Sequence, residues 1–186
     1  MPSVIDLSSA FGREAAATCM GLKLALFAHN DQKDQPLGAP TQVVLHWTAG
    51  TYAQCWDSYH FNIAFDAKAP RACVVKALSL KQKGQHLSKR NTGAIGVTLC
   101  AMASKSHPVQ KLQEEAAAEL CAELLWHHKL SIAQLTDHAH WARIDGYFPH
   151  RWDVGDRFAV IRALTEARLR ELQAGQRKPA YTHLFT

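Results

Sequence analysis

The chain has 186 residues, a formal net charge of +5, 47% hydrophobic residues and 20% charged ones. This length suits a single domain with its own core, the apolar share is ordinary for a soluble globular protein, and no apolar run is long enough to span a membrane. A basic surplus this modest is first a matter of solubility, and it also fits an anionic polymer as partner, but the most basic stretch, Lys76–Arg90, contains no aromatic residue. A nucleic-acid groove, which needs stacking side chains among its cations, is therefore not expected.

From the N-terminus, Ala15 to Ala28 is apolar but is preceded by Arg13 and interrupted by Lys23. It reads as a helix rather than a signal peptide. The polar stretch Asn30–Pro40, with Pro36, Gly38 and Pro40, is a loop that closes an N-terminal helical arm over residues 1–40. Val43–Trp47 reads as a buried strand. Tyr59–Phe65 alternates, with Tyr59, Phe61, Ile63 and Phe65 on one face. Ala72–Leu78 and Ala94–Cys100 are the third and fourth strands. Pro108 opens a helix that carries Val109, Leu112, Ala116, Leu120 and Leu124 at helical spacing. Ile132–Asp137 is a short turn or edge segment, and Trp141–Val154 reads as irregular. A last helix runs from about Asp156 to Ala174, stopped by Gly175, and the tail over 176–186 extends across the surface. The expected fold is α/β: one domain with a central mixed β-sheet flanked by helices.

The chemistry concentrates in histidine. The chain has 11 histidines, and 5 cysteines without a CxxC pair. The cysteine pattern argues against a disulfide framework and a cysteine-only zinc site, so reduced, buried thiols are expected. In VVLHWTAG (Val43–Gly50), His46 ends a buried strand, where a neutral imidazole can ligate metal. A catalytic metal wants further ligands from distant segments, and Leu135–Gly155 offers His138, His140, His150 and Asp153. Spacing alone does not choose among these, nor between a metal centre and a histidine-rich surface loop.

Four motifs in order, VVLHWTAG, SYHFNIAFD (Ser58–Asp66), NTGAIGVTL (Asn91–Leu99) and HAHWARIDGY with RWDVG (His138–Tyr147, Arg151–Gly155), resemble the zinc-dependent N-acetylmuramoyl-L-alanine amidases. That family includes phage lysozyme-type amidases and peptidoglycan recognition proteins. The resemblance runs from about Gln42 to Gly155 and places a catalytic domain over residues 41–175. It implies Zn2+ as cofactor, held by His46, His138 and Asp153, with His140 facing solvent or behind the ligands and His150 as the alternative to Asp153. It implies Tyr59 as a catalytic or water-positioning residue. Where some relatives carry a lysine that stabilises the oxyanion, this chain has Arg151, which stays charged but does not readily give up a proton. Where some carry a glutamate base, it has Thr98, which shifts weight to Tyr59 and the metal. His86, Asn91 and Thr92 resemble a loop that contacts the glycopeptide, and with Thr98 they form the expected substrate-binding set.

The implied activity is hydrolysis of the amide between N-acetylmuramic acid and L-alanine of the stem peptide by a zinc-activated water. The implied partner is peptidoglycan, with no nucleic acid, no integral membrane association and a monomeric enzyme. The expected setting is a phage or prophage endolysin, made in the bacterial cytoplasm and acting on the wall after release. A secreted antibacterial effector or a recycling amidase would use the same site. The alternative class is a peptidoglycan-binding module without activity.

Overall fold

The computed structural model describes residues 3–8, 17–19, 21–102, 106–147 and 153–186. The strands are β1 (Ser3–Asp6), β2 (Ala17–Cys19), β3 (Leu22–Phe27), β4 (Gln42–Trp47), β5 (Gln54–Trp56), β6 (Phe61–Asp66), β7 (Arg71–Lys76), β8 (Ala94–Leu99) and β9 (Leu135–Asp137). The helices are α1 (Lys111–His127), α2 (His138–Asp145) and α3 (Arg157–Gln173). Six strands form the main sheet in the order β1-β7-β6-β8-β4-β9. Among the described residues only the β6–β7 pair in it is antiparallel, so the sheet is mixed as expected.

Side-chain alternation along the strands divides the sheet into two faces. Val43, Leu45, Phe61, Ile63, Val74, Ile95, Val97 and Leu99 pack against α1 in the principal core. That helix is enclosed between the sheet and α3, so its polar residues need partners. Gln113 donates to the carbonyls of Ile63 and Cys100. Glu114 pairs with Arg157, and Glu119 with Arg168 and Arg177.

The opposite face carries Ala64, Cys73 and Val75, covered by a second sheet of order β2-β3-β5 through Cys19, Leu24 and Cys55. Farther along it carries Val44 and Ala94, against Leu87 and Trp141. The stretch of this face between those two clusters holds the site.

Four expectations need correction. The expected N-terminal helix is strand where described: Leu22–Phe27 alternates, with Leu24 turned into the second core, and Gly21 at φ +91° makes the turn from β2. The segment from Trp141 is helical to Asp145, because Asp137 caps α2 by accepting the His140 N–H and Gly146 ends it in the left-handed region. The tail does not merely cover the surface: Tyr181, Leu184 and Phe185 enter the principal core, and Glu123 accepts the N–H groups of Ala180 and Tyr181. Cys19 and Cys73, 54 residues apart, form a disulfide across the stacked sheets. Sequence spacing carries no trace of that stacking. Cys55, Cys100 and Cys121 are buried free thiols.

Candidate metal centre and active site

Backbone pairing builds the site. Parallel pairing of β9 with β4 sets Asp137 beside Leu45, so the residues that follow, His138 and His46, meet at the C-terminal ends of these strands. His138 is the first residue of α2. Asp153 arrives just before α3, where Val154 and Gly155 both adopt positive φ (68° and 54°) and Val154 is plugged into the principal core. That turn aims the carboxylate back at β4, and its Oδ1 accepts the Trp47 N–H at 2.7 Å.

Three donor atoms face one point. His46 Nδ1 lies 3.1 Å from His138 Nδ1, His138 Nδ1 lies 2.8 Å from Asp153 Oδ2, and His46 Nδ1 lies 3.5 Å from the same oxygen. Tetrahedral ligands with bonds of about 2.0–2.1 Å sit about 3.3 Å apart, so this triangle has the dimensions of three corners of a metal site. All three residues are buried, and the group could hold a metal ion. Burial raises the Asp153 pKa, but the imidazole of His138 bonded to it and that of His46 beside it outweigh that and hold the carboxyl below its ordinary value.

Each histidine is held from behind. His138 Nε2 lies 3.0 Å from the Tyr147 hydroxyl. His46 Nε2 lies 3.0 Å from His86 Nδ1, and His86 Nε2 lies 3.1 Å from the Ala94 carbonyl. Burial, with the neighbouring imidazoles of His46 and His60, keeps the His86 pKa well below its ordinary value. Asn91 fixes this loop, accepting the N–H groups of His86 and Leu87 and donating to the Leu87 carbonyl. Thr92 is exposed on the turn before β8.

Tyr59 stands over the cluster with its ring 5.0 Å from that of His46. Burial, the Asp153 carboxylate and Cys100 all raise its pKa, so it stays a phenol and a hydrogen-bond donor. Thr98 is directly opposite His46 in the β4–β8 register, is fully buried, and its hydroxyl has no hydrogen-bond partner among the described residues. An orphaned hydroxyl in the floor of a cluster of donors marks a place for a ligand or water.

Among the expected site residues, then, His46, His138, Asp153, Tyr59, Thr98 and His86 converge. Asn91 supports the loop, and Thr92 stands apart on the surface. Arg151 and His150 lie outside the described residues. His140, half-buried, packs edge-on against Trp141, two residues along α2 from His138 and turned away from the cluster. Helical geometry separates it from His138, whereas an extended strand would have put both on one face.

Sequence reasoning missed four contributors. Tyr147 braces His138. Gly84 and Gly96 leave room for the His86 ring, since a Cβ at either would lie 2.8 or 2.7 Å from its Cδ2. Arg90 bonds both Asp145 carboxylate oxygens and lies over the Trp141 ring, docking α2 on the His86 loop. A glycine inside the apolar strand AIGVTL was the available signal, because such a residue often marks close approach of another group.

Comparison with solved structures finds the same architecture at low identity. The Ph2119 endolysin from Thermus scotoductus MAT2119 bacteriophage Ph2119 aligns with a TM-score of 0.53 at 13% identity, covering 87% of this chain and 98% of that one. The N-acetylmuramoyl-L-alanine amidase LysC from Clostridium intestinale URNW gives 0.52 at 16%, covering 75% and 95%. A chain of the peptidoglycan recognition protein complex LCa–LCx bound to tracheal cytotoxin gives 0.52 at 17%, covering 86% and 94%. No curated protein matches the sequence. The sequence pattern of the N-acetylmuramoyl-L-alanine amidase family matches residues 36–156, which contain His46, Tyr59, His86, Thr98, His138 and Asp153. The chain therefore belongs to the N-acetylmuramoyl-L-alanine amidase family and is an enzyme of that class.

Proposed function

We propose that this enzyme uses a zinc ion held by His46 Nδ1, His138 Nδ1 and Asp153 Oδ2 to hydrolyse the amide between N-acetylmuramic acid and L-alanine in peptidoglycan. The observation that carries this is the donor triangle, with sides of 2.8 to 3.5 Å, built from two imidazoles and one carboxylate. Two imidazoles and one carboxylate are a donor set that catalytic zinc takes, in sites that keep a further position for water or substrate. Bound there, zinc would polarise the amide carbonyl and lower the pKa of an adjacent water to about 7.

The chain's own residues supply the rest. Tyr59, a phenol at neutral pH, donates a hydrogen bond to the amide oxygen as it becomes anionic, where a prepositioned donor in a dry site is most effective. Arg151 is the proposed second source of positive charge for that oxygen. The Trp47 N–H holds Asp153 Oδ1, so only Oδ2 turns to the centre. Thr98 in the floor of the cluster and the exposed Lys89 are the proposed contacts for the glycopeptide, while Asn91 and Arg90 hold the neighbouring loop in place. Water adds across the C–N bond, leaving a carboxylate on the lactyl group and a free amine on L-alanine.

An endolysin role is the reading we favour, supported by the endolysins among the similar structures. The Cys19–Cys73 disulfide fits action in an oxidising compartment such as the periplasm. The test incubates the protein with purified sacculi, with and without a chelator, and identifies the new ends by mass spectrometry. Free stem peptides beginning at L-alanine, lost on chelation and restored by zinc, are expected. Intact sacculi in every arm would overturn the reading in favour of a binding module. A fully active His46→Ala protein would overturn the ligand assignment.

A further inference from the structure

We infer that His86 is a positioning residue that holds His46 in the single tautomer able to offer Nδ1 to a metal ion. The inference rests on the metal-centre reading above. It follows from donor and acceptor chemistry. The Ala94 carbonyl can only accept, so the His86 Nε2 that lies 3.1 Å from it carries a hydrogen. In a neutral ring this leaves a lone pair on His86 Nδ1. That lone pair faces His46 Nε2 at 3.0 Å, so His46 Nε2 carries the hydrogen between them. His46 Nδ1 is then bare, and it is the atom that faces His138 Nδ1 and Asp153 Oδ2.

Without His86 the balance reverses. The Nε2–H of His46 would lose the His86 acceptor, whereas a hydrogen on Nδ1 would still face the Asp153 carboxylate 3.5 Å away. That second tautomer blocks the ligand position. His86 thus disfavours a metal-free state that competes with metal binding, which differs from merely filling space.

The surroundings specify the ring closely. Gly96 on β8 and Gly84 leave it space, and Asn91 fixes its backbone N–H at 3.0 Å. Both ring nitrogens are engaged and the residue is buried, so direct contact with a glycopeptide would require breaking these bonds.

The experiment compares wild type, His86→Leu and His86→Asn. Leucine removes the acceptor while retaining bulk, and asparagine puts Oδ1 at the place of Nδ1. Zinc affinity is read by competition with a chromophoric chelator. The His46 tautomer is read from ring nitrogen-15 shifts of the metal-free protein, assigned with His46→Gln. We expect the hydrogen on His46 Nε2 in wild type and a shift toward Nδ1 in His86→Leu. Zinc affinity should fall about 10–100-fold in His86→Leu, as for other groups that orient a ligand, and return most of the way in His86→Asn. Unchanged zinc affinity in a folded His86→Leu protein, or a wild-type hydrogen on Nδ1, overturns the inference. Should His86→Leu not fold, the wild-type tautomer and the asparagine variant decide. A wild type that takes up no zinc refutes the metal-centre reading and leaves the tautomer measurement to judge His86 separately.

Discussion

Gly96→Ala tests how closely the sheet floor is fitted to the site. The new methyl would lie 2.7 Å from His86 Cδ2 and 2.9 Å from both Cγ and Nε2, against 3.4 Å or more for ordinary contact. The ring would have to retreat by about 0.7 Å to relieve this overlap. It has little freedom to do so, because its nitrogens are bonded at 3.0 and 3.1 Å to His46 and Ala94. A shift of that size takes at least one bond to about 3.7 Å, beyond hydrogen-bonding range. Overpacking costs about 1–3 kcal/mol and an unsatisfied buried polar group about as much again, so we expect a loss of about 2–6 kcal/mol. Urea unfolding of the metal-free protein measures it. The same substitution in a His86→Ala background, where the ring is gone, should cost less than about 1 kcal/mol, giving a large coupling in the double-mutant cycle. Equal costs in the two backgrounds would refute the fit described here.

His60 should make the fold acid-sensitive. Burial lowers its pKa from 6.5 to about 4, with its bond to the Gln82 carbonyl opposing. Its contribution is therefore complete above about pH 6.5 and is lost as pH falls toward 4, by about 3 kcal/mol in all. Unfolding at stepped pH should show this slope flattened in His60→Gln, and an unchanged slope would refute the assignment. Replacing both Cys19 and Cys73 with serine opens a loop closed over 54 residues, for which chain entropy predicts a loss of up to about 4 kcal/mol; an unaltered urea midpoint would refute this. Deleting residues 176–186 exposes the core pockets of Tyr181, Leu184 and Phe185, worth about 1.5–3 kcal/mol each. That approaches the whole stability of a typical domain, so circular dichroism should show loss of cooperative unfolding, and a truncated chain with the full-length midpoint would refute it.

Several strands and helices were legible in the amino-acid order from local signals alone. Val43–Trp47, Phe61–Asp66 and Ala94–Leu99 are apolar runs bounded by polar turns, and α1 and α3 repeat at helical spacing. His46, His138 and Asp153 were also singled out as candidate donors in the sequence, because they lie in motifs whose order resembles the family's. Features that depend on contact between distant segments were not legible there. A short apolar stretch such as Leu22–Phe27 has no intrinsic preference strong enough to choose strand over helix, and pairing with β2 and β5 chose for it. The Cys19–Cys73 bond depends on one sheet lying over another, and burial of the tail depends on space left beside α1. His86 shows the division most plainly. Its sequence neighbourhood suggested a residue facing substrate. The Gly96 gap, the Ala94 carbonyl and the end of β4 instead meet around its ring, and only folding brings those three groups together.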